Sequence, residues 1–447
     1  MENIQSKQAS LIEKYVIAEL ELTNTTYTMI GGYNAATYSS NLRIPEIPRS
    51  PEIKGAWRWW FRACLAGAIW ESCEPLDDQR RELIRRTTEE IMGSAERGAS
   101  STILQVIPLK IGRMEKLDER SGIPRMILLS RARDEDKLMC YKPYELEFKI
   151  RILKRPQAFK RLRILKLNES STVRCLIGSL LMSIIFQGIG AATRRGFGSL
   201  IVKSFKISEE YEELIKNYKN LIQKLNKIID KNQYRNILEK LIQMILEDFS
   251  SLIGITRKSE CPRDTLPPFP IVTEDRDLFK IEVKEVRAND EKNLLEKIGN
   301  ATMKSQWKRV RSVGIRCKGK DQYTLSTFIL GLPRKGEHRG KRRTFYSGYW
   351  VRFNRERDPG RRPSAISIKV LKRAGRSRWL CLIYGMLSKD WPERLVRRSV
   401  YYKQEWIKGK RRLVPYKEAI DETLSLNEST LRNRFNNAFS MVIQCLQ

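Results

Sequence analysis

Histidine is almost absent from this 447-residue chain, and the only one is His338. The eight cysteines are scattered and form no CxxC pair. Zinc sites need closely spaced Cys and His residues, so the sequence argues against zinc and assigns most cysteines to the apolar core. Two-metal nucleases need clustered carboxylates, and no such cluster stands in a glycine-rich stretch. We therefore expect no metal site.

Long hydrophobic runs are also missing. The longest apolar stretch, near "CLIGSLLMSIIF", is shorter than the ~20 residues that a membrane-spanning helix needs. The first residues, "MENIQSKQASLIEKY", contain no apolar signal core. These two absences predict an intracellular, cytoplasmic protein that does not enter a membrane.

Acidic residues are in deficit. The chain has 52 Asp and Glu residues against 85 Lys and Arg, which gives a net charge of +33. A protein this basic repels itself unless an anionic partner compensates. The charge is spread through patterned segments rather than confined to tails, so we favour nucleic acid as the partner. A basic scaffold whose charge serves only subunit assembly is the alternative.

The first half of the chain alternates between strand and helix patterns. Strands are predicted near 15–23, 101–111, 125–132, 144–153 and 199–207, with helices near 55–70 and 171–188. Ser171 or Thr172 is the expected cap of the second helix. The order strand, helix, two or three strands, helix, strand is typical of a ferredoxin-like domain. A charged segment at about 208–250 predicts an inserted helical pair.

A proline-rich stretch at 261–272 marks a boundary, so we predict domains at 1–260 and 261–447. The second unit begins with a strand at 278–286 and a helix at 290–302. It continues through a basic loop at 334–363 and a strand at 364–372, and closes with helices from about 414 to 446. A second, degraded copy of the first layout is one interpretation, and no sequence repeat establishes it.

The segment "GAWRWWFRACLAGAIW" has helical spacing. Trp57, Trp60 and Phe61 lie on one apolar stripe and are assigned to the core. Four other side chains precede that stripe or lie off it, and they are candidates for RNA contact: Lys54, Arg58, Trp59 and Arg62. A solvated charged face beside the core is the alternative for the cations. Trp59 could stack on a base or pack under a neighbouring subunit.

The stretch "GIGAATRRGFGSL" at 188–200 holds four glycines and two arginines. A Walker A loop needs Lys and then Ser or Thr after its last glycine, and Ser199 and Leu200 follow here. A dinucleotide fingerprint opens a helix, whereas this loop leaves one. We therefore expect no nucleotide cofactor. One glycine could end the helix, but the set favours a loop that grips a phosphodiester backbone through its amides and side chains. Its candidates are Gly188, Gly190, Thr193, Arg194, Arg195 and Gly196.

The basic loop interleaves cations with aromatic residues. Arg339, Arg342 and Arg343 stand close to Phe345 and Tyr346 in the sequence. This mixture suits single-stranded RNA. A disordered loop that folds only on binding is compatible with the same residues. Part of the aromatic stretch is expected to be strand.

These motifs together resemble a known family. "GIGAATRRGFGSL" is similar to the glycine-rich loop of RAMP proteins, the ferredoxin-like RNA-binding subunits of CRISPR effectors. "EIKGAWRWWFRACLAG" resembles the hallmark helix of the first subunit of Cmr complexes, the type III-B effectors. Supporting similarities are "TNTTYTMIGGYN", "LRIPEIPRSPEIKG", "EEIMGSAERGASS", "FILGLP" and "RRPSAISIKV". Arg43 lies in the second of these and is a further RNA-binding candidate.

The resemblance implies an α+β fold with tandem ferredoxin-like (RRM-like, RAMP) domains and helical insertions. It also implies a non-catalytic subunit that holds the 3′ region of guide CRISPR RNA, helps capture target RNA and assembles with other RAMP subunits. Target cleavage in that family belongs to a different subunit. RAMP-type processing ribonucleases work without metal and often use histidine, so a ribonuclease acting through His338 is the alternative. His338 lacks a partner carboxylate constellation, which makes it a poor catalyst candidate.

Overall fold

The computed structural model describes residues 13–31, 36–39, 42–126, 138–258, 265–302, 325–331, 334–337, 343–348, 350–353, 356–359, 363–391, 393–407 and 410–446. The predicted strand at 125–132 falls almost entirely outside these residues. Cys261, Cys317, His338, Arg339 and Arg342 lie outside them too.

A four-stranded antiparallel sheet organises the first half of the chain. Its strands are β1 (Val16–Asn24), β4 (Thr102–Ile111), β7 (Leu146–Lys154) and β8 (Leu200–Ile207), in the order β4-β7-β1-β8. This is the strand order of a ferredoxin-like domain. Two short pairs accompany the sheet: β2 (Tyr38–Ser39) with β3 (Ile44–Pro45), and β5 (Met114–Lys116) with β6 (Met139–Tyr141). The predicted strand positions at both ends of this domain are confirmed.

Helices cover one face of this sheet. They are α1 (Ser50–Glu71), α2 (Asp78–Met92), α3 (Pro156–Ile164) and α4 (Glu169–Met182), and α4 continues through a π-helical turn at Ser183–Gln187. Trp57, Trp60 and Phe61 are at most 1% exposed, which confirms their core assignment. The cap prediction for α4 was wrong. Asn168 caps the helix by accepting from the Ser171 amide, because the helix begins before its apolar stripe does.

The α4 segment is longer than its apolar run suggested. With the π-helical turn it extends over Glu169–Gln187, which is 19 residues and apolar enough to cross a membrane by length and composition. However, 83% of that window is buried inside the protein. The segment is therefore the central core helix of the fold. It packs against α1 and against the inserted helical pair.

The inserted helical pair is present as predicted. It consists of α5 (Glu212–Lys227) and α6 (Lys231–Ile253). Its buried side chains recur at helical spacing, for example Ile215, Tyr218 and Ile222 on α5. The pair therefore extends the hydrophobic core instead of projecting from it.

The second half contains a three-stranded antiparallel sheet. Its strands are β9 (Phe279–Arg287), β14 (Ile366–Arg373) and β15 (Arg378–Met386), in the order β14-β15-β9, with helices α7 (Glu291–Ala301) and α8 (Glu428–Cys445). This order repeats β4-β7-β1 of the first sheet. The fold is thus α+β, with tandem ferredoxin-like domains and helical insertions. The exact division at 260/261 stays a prediction.

The basic segment at 334–363 is not a loop throughout. It contains β10 (Arg334–Glu337), β11 (Arg343–Gly348), β12 (Trp350–Phe353) and β13 (Glu356–Pro359), so the expected strand in its aromatic stretch is confirmed. The prediction for the end of the chain was wrong. The supposed helices from 414 begin only with α8, because β16 (Arg394–Ile407) and β17 (Lys410–Ser425) form a long hairpin first. A further sheet has the order β10-β11-β16-β17, and β12 pairs with β13.

The cysteines mostly follow expectation. Cys64, Cys140, Cys175 and Cys381 are buried free thiols, as small core residues should be. Cys73 differs, because it is disulfide-bonded. Nothing in its spacing predicted that bond.

Candidate nucleic-acid interface

The glycine loop at 188–200 depends on backbone that only glycine adopts readily. Gly188, Gly190, Gly196 and Gly198 all have positive φ, between +59° and +84°. The two limbs are pinched together where the Ile189 amide donates to the Gly198 carbonyl at 2.9 Å. A Cβ on Gly198 would overlap the Ile189 carbonyl oxygen and lie 3.0 Å from its carbon. The loop therefore needs glycine for its own closure.

Many loop amides already have acceptors inside the protein. The Ala191 and Gly198 amides donate to the carbonyls of Met29 and Tyr27, each at 2.9 Å. The Gly190 amide donates to Glu52 Oε1 on α1 at 3.0 Å. A phosphate cannot use these amides while those bonds persist. The RNA-binding roles of Gly188, Gly190 and Gly196 stay predictions, and the contacts seen here are intramolecular.

The two arginines of the loop reach the second half of the chain. Arg194 donates to the Ser364 carbonyl at 2.5 Å, and Arg195 donates to the Leu330 carbonyl at 3.1 Å. The backbone continues this junction, because Ile368 N donates to the Arg194 carbonyl at 3.2 Å. Arg194 and Thr193 remain exposed and half-exposed respectively. Arg195 therefore fastens the two sheets, whereas the apex at Thr193 and Arg194 still faces outward.

Strand β14 fastens the loop from its other side. The Thr25 hydroxyl donates to the Val370 carbonyl at 2.8 Å, and the Val370 amide donates to Ser199 Oγ at 3.1 Å. Lys369 is 1% exposed and donates through Nζ to the Gln187 carbonyl at 2.6 Å, at the end of the α4 segment. Burial lowers the pKa of Lys369 to about 7. A cation is favoured at a helix C-terminus, so this lysine suits its place when charged.

A group of four basic side chains lies on and beside α1, and we call it the α1 cation cluster: Lys54, Arg58, Arg62 and Arg155. The first three recur every four residues and so share one helix face. Arg155 comes from the end of β7, directly before α3. Glu52, two residues before Lys54, accepts from the glycine loop. The cluster and the loop therefore adjoin the same half of α1.

The charges of this cluster repel one another. The pKa of Lys54 is lowered by partial burial and then by the positive charges of Arg155 and Arg58. The pKa of Arg62 is lowered by partial burial and by Arg58. Arg58 also donates to the Gly93 carbonyl. Within the described residues, Nε of Arg155 is buried and has no acceptor. Such a cluster favours an anion in front of it.

Of the remaining predicted residues, the structure describes Trp59, Arg43 and the strand position of Arg343. Trp59 is half-buried and meets the Trp60 ring edge-on at 5.1 Å between centroids. Arg43 is exposed, with φ of +53°, between β2 and β3. Arg343 begins β11. Arg155 was missed by the sequence analysis, because it stands about a hundred residues from α1 and only the fold brings them together.

A protein-family model matches part of the chain. Residues 21–201 match the RAMP superfamily. This match includes the end of β1, all of α1, the α1 cation cluster and the glycine loop. No curated protein matches.

Two solved structures share the fold along nearly the whole chain. A cryo-EM structure of the type III-B Cmr-beta bound to cognate target RNA and AMPPnP, in the presence of ssDNA, has a chain that aligns with a TM-score of 0.59 and 17% identity. The alignment covers 97% of this chain and all of that one. A second Cmr-beta structure bound to cognate target RNA aligns over 96% of this chain and all of that one, with a TM-score of 0.57 and 16% identity. The crystal structure of apo Cmr1 from Pyrococcus furiosus covers 84% of this chain and 90% of its own, with 20% identity and a TM-score of 0.47.

Proposed function

We propose that this chain is a non-catalytic RNA-binding subunit of a type III-B CRISPR (Cmr) effector, in the position of the first subunit. It holds the 3′ region of the guide RNA and helps capture target RNA, and other subunits cut the target. Its partners are guide RNA, target RNA and other RAMP subunits in a cytoplasmic ribonucleoprotein. The fold shared with Cmr-beta chains supports this proposal.

One observation carries the RNA-binding part, and it is the α1 cation cluster. Three basic side chains of one helix face meet a fourth whose Nε is buried, and partial burial, followed by like charge, lowers the pKa of two of them. Mutual repulsion among these four cations does not stabilise the fold. We infer that an anionic ligand binds in front of them and compensates their charge. An RNA phosphate, which is anionic and accepts several hydrogen bonds, fits guanidinium groups in that role.

The test removes three cations of the cluster together, through Lys54→Ala, Arg62→Ala and Arg155→Ala, and keeps Arg58, which donates to the Gly93 carbonyl. We expect weaker binding of a labelled guide-length single-stranded RNA. Removing one phosphate contact flattens the slope of log affinity against log salt by about 0.7, so the slope of the combined variant should fall by about 2. The temperature of thermal unfolding should be unchanged or slightly higher, because removing like charges relieves the repulsion between them.

A matched control removes the same charge from the helical insertion, through Lys224→Ala, Lys227→Ala and Lys231→Ala. These three side chains are exposed. Their loss should leave the salt slope near that of the wild type. Equal slopes in the wild type and the cluster variant would remove the α1 surface from the RNA site. Equal losses in both triple variants would mean that net charge alone attracts the RNA.

A metal-independent ribonuclease remains the alternative, and His338 is its candidate general acid or base. Our proposal predicts that neither the wild type nor His338→Ala cleaves a guide-RNA precursor in the presence of a chelator. Cleavage by the wild type that disappears in His338→Ala would establish the ribonuclease instead. A precursor RNA labelled at its 5′ end and analysed on a denaturing gel reports both outcomes.

A further inference from the structure

The hairpin of β16 and β17 extends beyond the sheet that holds its base. Strand β11 pairs only with residues 396–401 of β16. Residues 402–407 pair with 410–415 of β17, and β17 is an edge strand. We call residues 402–407 and 410–416 the ribbon. Six residues of strand span roughly 20 Å, and an isolated two-stranded hairpin is at best marginally stable in water. We therefore expect a binding partner to cover the ribbon.

The two faces of the ribbon differ. Side chains that lie directly opposite in an antiparallel pair share a face. One face carries Tyr402, Gln404 and Trp406 with Pro415 and Leu413 from the opposite strand. Trp406 is 70% exposed and Leu413 is 56% exposed. This face therefore presents a large aromatic ring and an apolar side chain to whatever approaches it.

Cations line the other face and the free edge. Lys410 and Arg412 are exposed on β17, which is the edge strand of the sheet among the described residues. Over 402–416 the sequence holds five Lys or Arg and one Glu, a net charge of +4. Lys403 pairs with that Glu405 at 2.7 Å. Because the ribbon is one strand pair thick, long basic side chains on its edge can reach a ligand on either face.

Exposed aromatic side chains beside several cations favour single-stranded nucleic acid as the ligand of the ribbon. Single strands are held by aromatic rings on which bases stack and by cations that follow the phosphates. A protein interface is depleted of Lys and of charge at its centre, whereas five of the 15 sequence positions 402–416 are basic. Tyr416, which is 57% exposed, adds a second aromatic ring at the base of the ribbon, where the pairing register shifts.

We infer that the ribbon is a nucleic-acid arm, in which Trp406 stacks on an unpaired base while Lys410 and Arg412 hold neighbouring phosphates. The inference rests on the proposed function only in taking RNA as the ligand. It adds a second contact surface, built by the second half of the chain and separate in the sequence from α1 and the glycine loop. Sequence analysis missed it because this segment was assigned partly to helix.

The test uses the full chain and a labelled single-stranded oligouridine across a salt series. Trp406→Ala should weaken binding by about 5- to 100-fold at every salt concentration, because one stacked base is lost. The salt slope should stay unchanged, since no charge is removed. Trp406→Phe keeps a ring face and should restore most of the affinity. Ile164→Ala, at a residue 82% exposed on α3, is the control for loss of an exposed apolar side chain.

Removing the cations of the ribbon should instead change the salt slope. Lys410→Ala with Arg412→Ala should flatten the salt slope by about 1.4, two contacts at about 0.7 each. Lys227→Ala with Lys231→Ala should leave it unchanged. Wild-type affinity in Trp406→Ala, or equal weakening in Trp406→Ala and Trp406→Phe, would overturn the stacking arm. If the α1 variant still loses affinity in that case, the proposed function survives. A wild-type chain that binds no RNA overturns both.

Discussion

Replacing Gly67 with alanine is expected to destabilise the protein strongly, although alanine is the better helix former. Gly67 lies within α1, where residues 271–273 cross the helix closely. The Val272 amide donates to the Ala63 carbonyl at 3.0 Å. A Cβ on Gly67 would overlap the Val272 carbonyl oxygen and lie 2.7 Å from its carbon and 3.2 Å from Leu246 Cδ2. The backbone would have to move, since the obstacle is not a flexible side chain.

The expected loss lies at or above the upper end of the about 1–3 kcal/mol that overpacking costs. Gly55 supplies a matched control in the same helix. It is exposed, and nothing lies within 4 Å of its added Cβ. Gly55→Ala should therefore raise the free energy of unfolding by about 0.5–1 kcal/mol. Chemical denaturation of both variants measures the contrast. A neutral Gly67→Ala would mean that the 271–273 segment can leave α1 without cost.

The first domain could be predicted from the sequence because its patterns are local. The apolar spacing of Trp57, Trp60 and Phe61 specifies the buried side of α1 by itself. The run of strand, helix, strands, helix, strand then leaves the ferredoxin-like order as the natural arrangement. The helical insertion could be predicted for the same reason, since α5 and α6 each carry a stripe of apolar residues at helical spacing.

The hairpin of β16 and β17 was harder to predict, because its sequence does not show the usual pattern of paired strands. β17 contains "KEAIDETL", whose Glu, Ala and Leu residues favour helix. Cross-strand pairing with β16 overrides that preference. Pro415 within β17 also argued against a strand, but this strand lies at the sheet edge, where proline is tolerated. A strand that is exposed on both faces loses the alternation by which strands are recognised.

The individual residues of the candidate site could be predicted from the sequence, but which of them lie close together could not. Lys54, Arg58 and Arg62 share a helix face by spacing alone, whereas Arg155 joins them only through the sheet. The arginines of the glycine loop show the converse. Their sequence context predicted phosphate contacts, but Arg195 also meets carbonyls of the second half. No sequence signal distinguishes a guanidinium that binds RNA from one that binds a backbone carbonyl. A variant of Arg195 would therefore combine loss of stability with any loss of binding.

Arg257→Ala is expected to cost about 3–5 kcal/mol, because it removes the cation that compensates a buried carboxylate. Glu71, at the end of α1, is 9% exposed and accepts from Arg257 Nε at 2.6 Å. Its other oxygen accepts from the Thr273 hydroxyl at 2.8 Å and the Glu274 amide at 2.6 Å. This group joins α1 to the segments on both sides of the predicted domain boundary. Arg257 therefore compensates a charge that holds three parts of the chain together.

The loss should depend on pH in a defined direction. Burial raises the pKa of Glu71 above its usual 4.5, and the charge of Arg257 counteracts that rise. Without Arg257 the pKa in the folded state rises further, so the folded variant binds a proton more readily than the unfolded chain. Its stability deficit is then largest above the folded-state pKa. The deficit shrinks as pH falls through that pKa towards 4.5, because a neutral carboxyl needs no cation.

Urea denaturation of the wild type and Arg257→Ala at pH 8 and pH 5 measures this difference. Glu71→Gln in the Arg257→Ala background is the control, since the amide is neutral at both values. The double variant should recover part of the lost stability at pH 8 and show little change in its deficit between the two pH values. A deficit of Arg257→Ala that is equal at pH 8 and pH 5 would mean that Arg257 stabilises the junction by packing, and not by compensating Glu71.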